Sequence, residues 1–121
     1  MNFLGHAAAA RWHSSDPRFV LGAMLPDFAH MAGIRGVRPR DDVTAAGVAF
    51  HHRTDAAWHG CASFHVLSHA GTERLQGDGV GRGPALALGH VAIELLLDGV
   101  LADDRELTDD YAAALQVELE L

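Results

Sequence analysis

Three side chains able to bind a metal or move a proton recur at even spacing mid-chain: His51, Asp55 and His59, each four residues after the last. On an α-helix such residues stack above one another, so a helix here turns two imidazoles and a carboxylate to one side. A second stretch, 88–101, repeats the design, with His90, Glu94 and Asp98 as the only polar side chains in an apolar run. A carboxylate among apolar side chains must be neutralised, paired or bound to a cation. All nine basic residues are Arg, and the two nearest in sequence to Glu94 and Asp98, Arg82 and Arg105, lie outside the apolar run. A divalent metal (Mn, Fe or Zn) held by imidazoles and carboxylates is the expected partner. The alternative is a hydrogen-bonded His and carboxylate network tying two helices together without an ion.

Two more residues join the candidates. His6 falls among the apolar positions of the first helix, and Asp27 follows Pro26 between Leu25 and Phe28. The expected ligands are Asp27, His51, Asp55, His90 and Glu94, with His6 and His59 as further ligands or as groups that orient the imidazoles. A metal so held lowers the pKa of a water and polarises a phosphoryl oxygen, which points to phosphoester hydrolysis. Asp98 is the expected base. Arg38, with Arg35 and Arg40 in the only basic cluster, is the expected clamp on a substrate phosphate. Cys61 reads as a small core residue beside the first stripe.

Helices must position these groups. Asn2 can cap a helix over 2–12, and Ser14-Ser15-Asp16-Pro17 opens a second that should stop at Pro26. Gly and Pro make 31–40 a loop, Asp41-Asp42 caps the central helix, and Gly60 ends it near His59. A helix over 64–75 carries His65 and His69 on what reads as a solvated face. After the Gly-rich loop 76–83, Pro84 opens the helix bearing His90. Thr108 should cap an amphipathic helix to the C-terminus, whose Tyr111, Leu115 and Leu119 form a face that could pair with a partner or a second copy. The expected architecture is all-α, a single-domain bundle of about five to seven helices.

The chain has 121 residues, 49% hydrophobic, with much Ala and little that alternates apolar and polar, so a sheet is not expected. A formal charge of −7 opposes a nucleic-acid backbone or an anionic membrane as partner. The single cysteine excludes an intrachain disulfide framework and fits a reducing compartment. The first residues lack a basic leader pattern, so a cytoplasmic location is expected. The run 84–101 approaches the length of a membrane span, but His90, Glu94 and Asp98 make that costly, and it reads as a helix buried in protein.

Taken in order, Met1-Asn2-Phe3-Leu4-Gly5-His6, Leu25-Pro26-Asp27-Phe28, His51-His52-Arg53-Thr54-Asp55 and Glu94-Leu-Leu-Leu-Asp98 resemble the motifs of the acyl carrier protein phosphodiesterase family. That family begins Asn-Phe-Leu-x-His and carries Gly-Asp-Phe, His-Arg-x-x-Asp and Asp-x3-Asp-His. The resemblance covers about residues 1–102. It implies an HD-domain-like helical fold and a divalent metal, typically manganese, that hydrolyses the phosphodiester between phosphopantetheine and a carrier-protein serine. It would make Asp27, His51 and Asp55 the core of the metal site, with His6, Glu94 and Asp98 around it. Pro26, Glu94 and Gly99 replace the family's Gly, Asp and His, and His59 and His90 are additions. An acidic acyl carrier protein is a poor electrostatic match for a chain of charge −7 unless the Arg35, Arg38 and Arg40 loop docks it. The His-x3-Asp and His-x3-Glu pairs are also similar to those of the zinc-dependent phospholipase C and P1-type nuclease group. Both comparisons imply metal-assisted phosphoester hydrolysis; the rival reading is a non-catalytic helical protein acting through an interface.

Overall fold

A computed structural model describes residues 1–121. Six helices and no strand make up the chain: α1 (Phe3–His13), α2 (Pro17–Met31), α3 (Asp42–His59), α4 (Ala62–Gly77), α5 (Arg82–Leu101) and α6 (Arg105–Ala114). The all-α expectation holds. Side-chain caps start three of them: Asp16 accepts the N–H of Arg18, Asp41 that of Thr44 and Asp104 that of Leu107. Asp104, not Thr108, therefore caps α6, which ends at Ala114, short of the C-terminus. Asn2 makes no side-chain cap bond to α1. The first amides of α1 are satisfied from α5 instead, where Asp98 accepts the N–H groups of Leu4 and Gly5 at 3.2 and 2.9 Å.

Pro26 does not end α2, which continues through it to Met31. The burial of Phe19 to Leu25 and of Ala29 outweighs the single hydrogen bond that proline removes. The core forms where α2 meets α1 and α6, around Ala7, Ala10, Val20, Ala23, Met24, Leu107 and Ala114. Tyr111 and Leu119 pack against it, so most of the C-terminal apolar face expected to meet a partner is used within the chain.

Helices α2 and α3 cross in unusually close contact. A Cβ on Gly22 would lie 2.2 Å from the Thr44 carbonyl oxygen, and one on Gly47 would lie 2.3 Å from that of Phe19. Only paired glycines allow this approach, and it brings Asp27 on α2 alongside His51 on α3.

The α4–α5 hairpin is packed differently. Its crossing sets Gly89 against Thr72 and Gly71, yet Ala85 and Gly89 are the only fully buried residues of α5. Contrary to the sequence reading, α5 is not a buried helix: Leu86, Leu88, Leu95, Leu96 and Val100 are each at least half exposed. Once α4 and the start of α1 have taken one side, no other element covers the remainder. The total accessible surface, 7474 Å², exceeds the roughly 6,300 Å² expected of a compact protein of this mass. By length and composition α5 is the one helix able to cross a membrane, but its His90, Glu94 and Asp98 turn toward α1 and α3.

Candidate metal centre

The ionisable residues of α1, α2, α3 and α5 converge into two neighbouring triads, His6 with Asp27 and His51, and His59 with His90 and Glu94. In the first, His6 and His51 are 1% and 5% exposed, and their rings stack with centroids 3.9 Å apart. His6 Nε2 lies 3.8 Å from Asp27 Oδ2, and His51 Nε2 lies 3.9 Å from Asp27 Oδ1. These separations are too long for hydrogen bonds and leave room between the atoms.

Each imidazole is oriented from behind. His51 Nδ1 donates to the Ala23 carbonyl at 2.8 Å, so in the neutral ring the lone pair sits on Nε2 and points to Asp27. Thr54 spends its one hydroxyl proton on the Phe50 and His51 carbonyls. Its oxygen can then only accept from His6 Nδ1, 3.4 Å away, which again leaves Nε2 bare toward the triad. His6 Nε2 and Asp27 Oδ2 are consequently buried with no hydrogen-bond partner. Burial, with His51 beside it, holds the His6 pKa down to about 3. Burial also raises the Asp27 carboxyl above its ordinary range. Converging lone pairs with no proton between them are a cation's coordination shell in outline.

The second triad is tighter and more exposed. His59 Nε2 lies 3.2 Å from His90 Nε2, and both lie 3.1 Å from Glu94 Oε1. Ligands held about 2.0–2.2 Å from one ion stand roughly 3.0–3.4 Å from each other, so this triangle fits one face of such a shell. It can also close by itself, with a proton on His90 Nε2 donated to Glu94.

Asp55 links the triads. Its Oδ1 stands 3.6 Å from His6 Nε2, while its Oδ2 stands 3.3 Å from His59 Nδ1, placing a carboxylate behind the ring whose Nε2 faces the second triad. The α-amino group of Met1 bridges Asp55 at 2.6 Å and Glu94 at 3.2 Å. Burial opposes ionisation of Asp55, but this ammonium, His59 and His6 together bring its pKa below the ordinary value. The arginine ion pairs lie elsewhere, on Glu106, Asp110, Asp16, Asp41 and Asp78, so no guanidinium neutralises Asp27, Asp55 or Glu94.

Seven sequence candidates therefore meet: His6, Asp27, His51, Asp55, His59, His90 and Glu94. Two do not. Asp98, expected as the base, gives both oxygens to the α1 amides, and Arg38, expected as the clamp, lines a separate cavity with Phe28 and Leu119. His65 and His69 are exposed, as their face suggested. Cys61 is half-buried at the start of α4 rather than in the core, and the N–H groups of Phe64 and Ser63 lower its pKa. The orienting roles of Thr54 and the Ala23 carbonyl had no signal in the spacing. Comparison with family models, curated proteins and solved structures finds no match.

Proposed function

We propose that this protein is a metal-dependent phosphoester hydrolase of the cytoplasm, with divalent cations (Mn, Fe or Zn) in two adjacent sites. The observation that carries the reading is the buried, unpartnered pair His6 Nε2 and Asp27 Oδ2, facing a third ligand and a linking carboxylate. His6, Asp27 and His51, with Asp55 Oδ1, would hold one cation, and His59, His90 and Glu94 the other. Bound there, such cations supply the charge that acidifies a water and polarises a phosphoryl oxygen. The chain's own part is orientation: the Ala23 carbonyl and the Thr54 hydroxyl orient His51 and His6 from behind, and Asp55 backs the His59 ring. The short motifs resembling the acyl carrier protein phosphodiesterases support a phosphodiester substrate, whereas the charge of −7 weighs against an acidic carrier protein.

The self-satisfied His59, His90 and Glu94 triangle favours a second reading, a structural ion or proton-bonded clasp in a protein that acts through an interface. Loading the purified protein with Mn, Zn or Fe and assaying bis(p-nitrophenyl) phosphate separates the two. Turnover that needs the metal and is lost in His51→Ala supports the hydrolase. Stoichiometric metal with no turnover of any phosphoester supports the clasp.

A further inference from the structure

Beside the triads lies an open cavity of about 500 Å³, built from the stripes next to those that carry the ligands. On α3, Phe50, Thr54, Ala57 and Trp58 line it, while His51, Asp55 and His59 turn to the triads. On α1, Ala9 and Trp12 line it, while His6 turns away to the first triad. Met1 reaches from cavity to centre, its amine meeting Asp55 and Glu94, while Thr54, also in the lining, backs His6 at Nδ1. No Asp, Glu or Arg lines the cavity; its polar groups are His13, the Thr54 hydroxyl, the Cys61 thiol and the Met1 amine, and that amine is already paired with Asp55 and Glu94, so the wall is mainly apolar. Trp12 is 86% exposed at its edge, an arrangement that wastes a large apolar surface unless something covers it. The indole N–H of Trp58 is buried with no acceptor.

We propose that this cavity seats the apolar arm of the substrate, making the preferred phosphoester one that carries an alkyl chain, with its phosphate at the triads and its chain between Trp12 and Trp58. The inference rests on the phosphoester reading and adds the substrate class. Each methylene that leaves water contributes roughly fourfold in affinity, so a chain only partly seated should separate long from short esters by tenfold or more.

The test is calorimetric binding of octyl phosphate and methyl phosphate, below the micellar concentration, to the Zn-loaded full chain. Octyl phosphate should bind at least tenfold tighter, with a fall in the tryptophan emission wavelength. Trp12→Ala, at an exposed position that folding does not need, and Ala57→Glu, which places a carboxylate in the cavity, should each bring the octyl-to-methyl ratio toward one. Equal binding of the two phosphates to the wild type would overturn the alkyl arm and leave the phosphoester site standing. Octyl preference that survives both substitutions would place the chain elsewhere and also overturn it. Binding of neither phosphate would overturn the cavity's role, and with metal bound it would remove the phosphoester reading as well.

Discussion

The two triads use the same side chains on opposite terms. Asp27 and His51 are held on the two helices of the tightest approach in the molecule, the Gly22–Gly47 crossing, His6 stacks on His51 from α1, and two atoms of this triad have no partner. His59, His90 and Glu94 sit where α3 meets the loosely covered α5, within hydrogen-bonding distance of one another. Without an ion the first triad is destabilising and the second is not. A rigid frame can hold unsatisfied lone pairs in place, and this is what makes a site bind a cation rather than collapse onto itself.

The largest effect should come from breaking the frame. Gly22→Ala puts a Cβ against the α3 backbone, 2.2 Å from the Thr44 carbonyl oxygen and 2.9 Å from the Gly47 Cα, and should cost more than about 3 kcal/mol in denaturant unfolding, or prevent folding. Gly89→Ala, whose nearest atom is the Thr72 hydroxyl, should cost about 1–3 kcal/mol.

Next comes acid. Because the folded His6 pKa lies near 3 against an ordinary 6.5, the unfolded chain binds the extra proton first. The stability this contributes is complete above pH 6.5 and is lost as pH falls toward 3, by up to about 5 kcal/mol. Asp27, with its pKa raised, acts oppositely and loses stability as pH rises from about 3.8. A pH series of unfolding midpoints on metal-free protein should show the His6 slope, and His6→Gln should remove it.

The triads should then separate by substitution. Asp27→Asn relieves a buried carboxylate, so the metal-free protein should gain about 1 kcal/mol at pH 7, while the stabilisation by added metal, about 2.7 kcal/mol per site at a hundredfold excess over Kd, should fall to that of the one remaining site. Asp98→Asn should lower stability by about 1 kcal/mol through the α1 amides, with metal content unchanged. His90→Gln should move metal-free stability least, within about 1 kcal/mol, yet lower metal affinity.

Helical spacing made much of this readable. Residues four apart drift by about 40° around a helix, and that drift distributes the first stripe: His51 enters one triad, Asp55 lies between, and His59 enters the other. The same drift carries Asp98 past the centre to the α1 amides, which is why a base read from the i, i+4, i+8 pattern alone lands in a capping role. For Arg38, nothing in a loop's composition tells which cavity it borders. At Pro26 local propensity yields to the burial of a whole helix face. The apolar content of α5 suggested burial, but whether a neighbour covers a helix depends on contacts between distant segments.

The decisive measurement is the metal stoichiometry of the purified chain by elemental mass spectrometry, for the wild type and for Asp27→Asn, Asp55→Asn and His90→Gln. Two ions per chain are expected in the wild type, one in each of the Asp27 and His90 variants, and fewer than two in the Asp55 variant. A wild type that stays folded and takes up no ion, or one ion lost equally in the Asp27 and His90 variants, would contradict a pair of adjacent cation sites linked by Asp55.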